Sequence, residues 1–151
     1  MEPSALSPVM DVEALEAFLA RDFPQLHADG RHYRVVRVKP GTVTMRLSPE
    51  DRHLRPGGTV SGPTLFTLAD VGAYLAILAH IGPSALTVTT NLTINFMHKA
   101  APGPLEGMAR LLKLGKRLAV VETTITDAEG RLIAHATGTY SIPPDRHDAV
   151  K

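Results

Sequence analysis

From Leu65 to Ala79 the chain is apolar apart from Thr67, Asp70 and Tyr74. Wound as a helix, this run shows hydrocarbon on every side, so it must be buried and other elements must cover it. It stands at the short limit of about 17 residues for a membrane span, and a central aspartate adds roughly 2.5–3.5 kcal/mol to insertion. The run therefore reads as the core helix of a soluble domain, with no membrane partner. Asp70 then becomes the residue to explain. An ionised carboxylate among hydrocarbon side chains costs several kcal/mol unless it is partnered. Two readings stand side by side: a structural carboxylate satisfied by the hydroxyls of Thr67 and Tyr74 at i−3 and i+4, or a base or nucleophile poised by burial.

The flanks delimit the helix. Ser61 suits the N-cap, Pro63 falls in the first turn where its missing N–H is harmless, and Gly82-Pro83 stops it. Upstream, Val12, Leu15, Phe18 and Leu19 line one face of a short helix from Asp11 to about Phe23. Tyr33–Val36 and Val43–Leu47 flank Pro40-Gly41 and predict a hairpin. Residues 49–60 form a loop feeding the core helix. Downstream, Val88, Leu92, Ile94 and Phe96 alternate with Thr89, Asn91, Thr93 and Asn95, predicting a strand over Thr87–His98 with one face in the core. Strands over Leu105–Leu114, Leu118–Thr126 and Arg131–Ile142 follow, and the short connections predict a four-stranded antiparallel meander. Residues 1–10 and 143–151 read as flexible tails around a single domain of residues 11–142. The fold class is α+β, with a sheet curled about the long helix and a second subunit supplying the remaining cover.

Several functions are excluded by what the chain lacks. A net charge of +1 gives no field for nucleic acid, and no aromatics alternate with basic residues as a base-stacking surface requires. Cys is absent, which removes thiol nucleophiles and thiolate metal sites. The seven histidines show no metal-ligand spacing, so no metal is expected. Neither a dinucleotide nor a P-loop glycine motif occurs. The Asn91-Leu92-Thr93 acceptor lies inside an expected strand. An acid at position 2 and no apolar core after it argue against a signal peptide, so a cytoplasmic address is expected.

Gly58-Thr59-Val60-Ser61-Gly62-Pro63 opens the helix. Amides at a helix N-terminus lack internal partners and carry the positive end of the dipole. Gly62 lets an ester or thioester carbonyl approach its N–H, which would stabilise a developing oxyanion; a plain glycine turn entering a helix is the other reading. Ser61 does not sit in a Gly-x-Ser-x-Gly elbow, so it is a poor nucleophile. Small residues along the helix, Ala69, Gly72, Ala73 and Ala76, leave an apolar slot for an acyl chain.

Residues Ser61 to Asp70 resemble the His-Gly-Gly-x-Leu-x-x-Leu-x-Asp stretch of hotdog-fold acyl-CoA thioesterases of the phenylacetic-acid-degradation type. The likeness continues through Asn91–Met97, Gly115-Lys116 and Asp127–Ala134, and covers about residues 30–142. It implies a six-stranded antiparallel sheet wrapped round the helix and a homodimer whose sheets join, often paired into a tetramer, with active sites between subunits. It implies that Gly62 polarises the thioester carbonyl, that Asp70 of the other subunit attacks or activates water, and that Thr89 stands where relatives hold the water with a serine. Ser61 and Pro63 replace the family's His and second Gly, and Arg55 stands where relatives often carry an Asn. Ser61, Pro63, Arg55, Lys99, Lys116 and Arg117 are the candidate substrate-binding residues, the basic ones for carboxylate or phosphate. The expected activity is hydrolysis of an acyl or aryl-acyl thioester, with no cofactor beyond the substrate's own CoA moiety. A non-catalytic acyl-CoA-binding or sensing module and an enoyl-thioester hydratase are the alternatives.

Overall fold

The computed structural model describes residues 6–144; the parts of the expected tails at 1–5 and 145–151 lie outside them. The elements run α1 (Val12–Asp22), a 3-10 turn (Pro24–His27), β1 (Tyr33–Lys39), β2 (Thr42–Leu47), a second 3-10 turn (Asp51–His53), α2 (Gly62–Ile81), β3 (Val88–Phe96), β4 (Leu105–Leu114), β5 (Leu118–Thr126) and β6 (Leu132–Ser141). Asp11 caps α1 by accepting the Ala14 N–H at 2.8 Å. Ser61 caps α2, and Gly82 ends it at φ +92°, a conformation glycine adopts without strain. All strand neighbours are antiparallel and form one sheet in the order β1-β2-β4-β5-β6-β3.

That order corrects the expected meander. Only β4, β5 and β6 follow one another; β3 crosses over and pairs with β6, while β4 pairs with β2. The connection from 97 to 104 is long enough to carry the chain across, and alternation within a strand says nothing about which edge that strand will join. The second correction concerns β3 itself. It is an edge strand exposed along most of its length, with only Leu92 and Ile94 half-buried against the core. Among the described residues no strand pairs with its outer backbone edge, the kind of edge that takes up another strand.

α2 lies across the sheet, chiefly on β4, β2 and β5. Leu68, Leu75, Ile77 and Leu78 are fully buried beneath it, each stabilising the fold by roughly 1.5–3 kcal/mol. Ala69, Ala73 and Ala76 are fully buried too, and a Cβ on Gly72 would touch the Ala109 methyl at 3.8 Å. The small residues therefore let helix and sheet pack closely, and the expected acyl slot along them is filled by the sheet. The remaining cover on the helix comes partly from within the chain. Phe18 of α1 stacks at a tilt on Tyr74, with ring centroids 6.1 Å apart. The end of the expected tail is tied down as well: Val9 and Met10 donate their N–H groups to Ala79 O at 2.6 and 3.1 Å, and Met10 is buried.

Candidate active site

Asp70 is half-buried on α2, at the wall of a cleft of about 410 Å³. Its partners are not the helix neighbours expected from spacing. Thr67 Oγ1 donates to Pro63 O at 3.1 Å and Tyr74 OH to Ala85 O at 3.2 Å. The carboxylate is held by the sheet instead: Thr89 Oγ1 donates to Asp70 Oδ1 at 2.7 Å and Tyr140 OH to the same oxygen at 2.8 Å. The Tyr140 hydroxyl also lies 3.2 Å from Asp70 O. Both side-chain bonds fall on Oδ1, and among the described residues none falls on Oδ2. One oxygen is thus anchored and the other left to the cleft.

Register explains how two strands deliver these hydroxyls to one atom. Thr89 of β3 and Tyr140 of β6 stand directly opposite one another, and the pairing slips by one residue between Thr89 and Asn91. The extra residue, Thr90, turns aside and donates to Thr139 O at 3.0 Å. This bulge brings Thr89 onto the helix-facing side together with Leu92 and Ile94, whereas strict alternation put it on the opposite side. Tyr140 is fully buried. Burial and then the Asp70 carboxylate push its phenol well above the usual range, so it stays a donor in neutral solution. Gly138 makes room for it: a Cβ there would sit 2.6 Å from Leu92 Cδ1 and 3.0 Å from Tyr140 Cε1. We expect Tyr140→Phe to fold but to lose about ten- to a hundredfold in kcat, the worth of one hydrogen bond to a charged group. An unchanged kcat would mean that Asp70 is aimed without Tyr140.

The second half of the site lies at the start of α2. Gly57 and Gly58 adopt φ of +100° and +81° in a tight turn closed by Gly58 N–H to Arg55 O at 2.9 Å and Arg55 N–H to Thr59 O at 2.8 Å. His53 props this loop; burial holds its imidazole below the usual value, its Nδ1 accepts the Glu50 N–H at 2.8 Å, and its carbonyl accepts the Ser61 N–H at 2.8 Å. In the first turn of the helix, Thr64 N–H is taken by Ser61 Oγ and Leu65 N–H by Ser61 O, and Pro63 has none. Among the described residues the Gly62 N–H has no partner. It opens on a second cleft of about 360 Å³, lined by Arg55, His98 and Lys99 among others. A Cβ on Gly62 would lie 3.4 Å from Phe96 Cζ, so Gly62 sits beside the far end of β3.

The structure thus places Asp70 with Thr89 in one cleft, and Gly62 with Arg55 and Lys99 in another. Ser61 and Pro63 line neither; the Ser61 hydroxyl is engaged by Thr64 N and Oγ1. Lys116 and Arg117 lie in the β4–β5 turn, where Arg117 Nε donates to Ile142 O at 3.3 Å, at the opposite end of β3 from Lys99. Tyr140 escapes spacing arguments because it is far from Asp70 in sequence. Its one signal is its place: a lone polar aromatic in register with the inward Ala134, Ala136 and Gly138.

The pattern of the Thioesterase superfamily matches residues 57–134, which span the glycine loop, α2, β3, β4, β5 and the start of β6. The chain belongs to that superfamily; it is a thioester hydrolase with the hotdog fold. A proposed esterase of Pseudomonas aeruginosa is 35% identical over 102 residues, covering 67% of this chain and 75% of that one. The crystal structure of a proposed thioesterase from Silicibacter sp. TM1040 superposes with a TM-score of 0.83 at 45% identity, covering 92% of this chain and 96% of that one. A mutant of the phenylacetic acid degradation protein PaaI from Thermus thermophilus gives 0.66 at 27% identity, over 74% and 93% of the two chains.

Proposed function

We propose that the protein hydrolyses acyl-CoA thioesters at two composite sites of a homodimer, each built from Asp70 of one protomer and Gly62 of its partner. The observation that carries this reading is the separation of the two groups within one chain. Gly62 and Asp70 are eight residues apart on one helix, about 12 Å along its axis, and open on different clefts. A single carbonyl cannot meet both. Edge strand β3 offers the remedy. Gly62 stands beside Phe96 at one of its ends, and Asp70 is bonded to Thr89 at the other. Two copies paired antiparallel along their free β3 edges about a two-fold axis bring the Phe96 end of one strand to the Thr89 end of the other.

In such a site the Gly62 N–H and the dipole of α2 polarise the thioester carbonyl. Asp70 Oδ2 takes a proton from water as the water oxygen bonds to the carbonyl carbon. The C–S bond then breaks, releasing the acid, and the thiolate leaves to take up a proton as CoA. Attack by Oδ2 itself uses the same geometry. It breaks the C–S bond to expel the thiolate, which takes up a proton as CoA, and gives an anhydride that water opens to the acid and free Asp70. Arg55, His98 and Lys99 around the Gly62 cleft suit the phosphates of CoA. A hydratase needs a second acid–base group beside the carboxylate. His80, the histidine that follows Asp70 on the helix, has both ring nitrogens bonded, Nδ1 to Ala76 O at 2.8 Å and Nε2 to Gly41 N at 2.9 Å.

The test is a thiol-release assay over a panel of short, medium and aryl acyl-CoA thioesters, run beside an enoyl-CoA hydration assay. We expect free CoA to appear from members of the panel and no hydration. Tight binding of acyl-CoA by calorimetry with no thiol released over hours would replace this reading with a binding module.

A further inference from the structure

Resting on the thioesterase reading, we propose that Asp22 is a specificity residue that selects the acyl group by the charge at its far end, disfavouring acyl groups that end in a carboxylate. The Asp70 cleft is walled by Phe23, Val71, Tyr74 and Val88, with Asp22 at its rim. Its hydroxyls are already committed as donors to the protein. Tyr74 OH goes to Ala85 O, Thr87 Oγ1 to Ser84 Oγ at 2.9 Å, and Thr89 Oγ1 to Asp70. What remains for an acyl group is hydrocarbon, two aromatic faces and carboxylate oxygen. Among the described residues lining this cleft there is no Lys, Arg or His. Arg21, the cation paired with Asp22, holds its Oδ2 at 3.0 Å from a position 63% exposed, where water screens it strongly.

Two further observations point the same way. Asp22 is the last residue of α1, where its charge opposes the helix dipole and costs about 0.3–1 kcal/mol, so helix stability gives no reason for it. Its field also reaches into the cleft: burial, and then the Asp22 charge, push the Tyr74 phenol up to about 12. A distal carboxylate entering here meets two negative groups and, among the described lining residues, no side-chain donor free to receive it. A distal ammonium meets carboxylate and aromatic faces, both of which attract a cation.

Desolvation penalises either ion, so the informative quantity is the ratio between them. The experiment compares kcat/KM for hexanoyl-, 6-aminohexanoyl- and hexanedioyl-CoA with wild-type protein, Asp22→Asn and Asp22→Lys. Wild type is expected to favour the ammonium-ended over the carboxylate-ended substrate by about tenfold or more. Asp22→Asn shrinks that ratio at least threefold and leaves hexanoyl-CoA hydrolysis within about twofold. Asp22→Lys, which suits the helix dipole, inverts the ratio. A ratio unmoved in both variants, with hexanoyl-CoA still hydrolysed, overturns the filter and leaves the thioesterase intact. Wild-type protein that hydrolyses none of the three overturns the filter; if it also releases no CoA from the short, medium and aryl panel, the thioesterase reading falls separately.

Discussion

Asp70→Asn is expected to abolish thioester hydrolysis, lowering kcat by about a thousandfold or more, while the protein folds as before. The loss follows from the unanchored oxygen. Asn keeps a carbonyl oxygen at the Oδ1 position, so Thr89 and Tyr140 retain their acceptor. It puts an amide nitrogen where Oδ2 faces the cleft, and that nitrogen neither accepts a proton from water nor attacks a carbonyl. General base catalysis is worth about 10²–10⁴ and nucleophilic catalysis at least as much, so either role gives a large loss. The melting temperature should move by no more than a few degrees, about 1 kcal/mol for a chain of this size. Steady-state kinetics with the acyl-CoA that wild type cleaves best, paired with a thermal melt, separates the two effects. Full activity in Asp70→Asn would remove the carboxylate from the chemistry.

Much of this architecture can be read from short-range pattern alone. The long helix, its Ser61 cap, its Gly82 stop and the central position of Asp70 within it can all be read from periodicity and backbone preference. These act over a few residues and need no knowledge of the rest of the chain. What escapes such reading is whatever depends on partners distant in sequence. The crossover of β3 is one case, because its alternation is equally compatible with pairing to β4 or to β6. The bulge at Thr90 is another; it reverses the facing of Thr89 relative to Leu92 and leaves no mark in composition. The small residues of α2 show the opposite hazard. Ala69, Gly72, Ala73 and Ala76 suggest empty space, yet they are where the sheet comes closest. The cleft lies instead where larger side chains, Phe23, Val71 and Tyr74, hold α1, α2 and the start of β3 apart.

The division of the site has a consequence for function. With the carboxylate and the Gly62 amide about 12 Å apart on one helix, the proposed site requires that the isolated chain hold two inactive halves. On the proposed reading, β3 serves both as the dimer interface and as the spacer that brings one half to the other. Weakening that edge should cost activity together with association, although no catalytic group is touched.

Active-site complementation tests this most directly. Gly62→Pro removes the free N–H at a helical position where proline is tolerated, and Ser61 before it is already extended, as a residue preceding proline must be. Gly62→Pro and Asp70→Asn should each be inactive alone. Mixed and allowed to exchange subunits at equal concentration, half of the dimers become heterodimers, each with one site carrying both native groups. Activity should then return to about a quarter of the wild-type value. A mixture that remains as inactive as its components, with heterodimers shown to be present, would contradict a site shared between protomers.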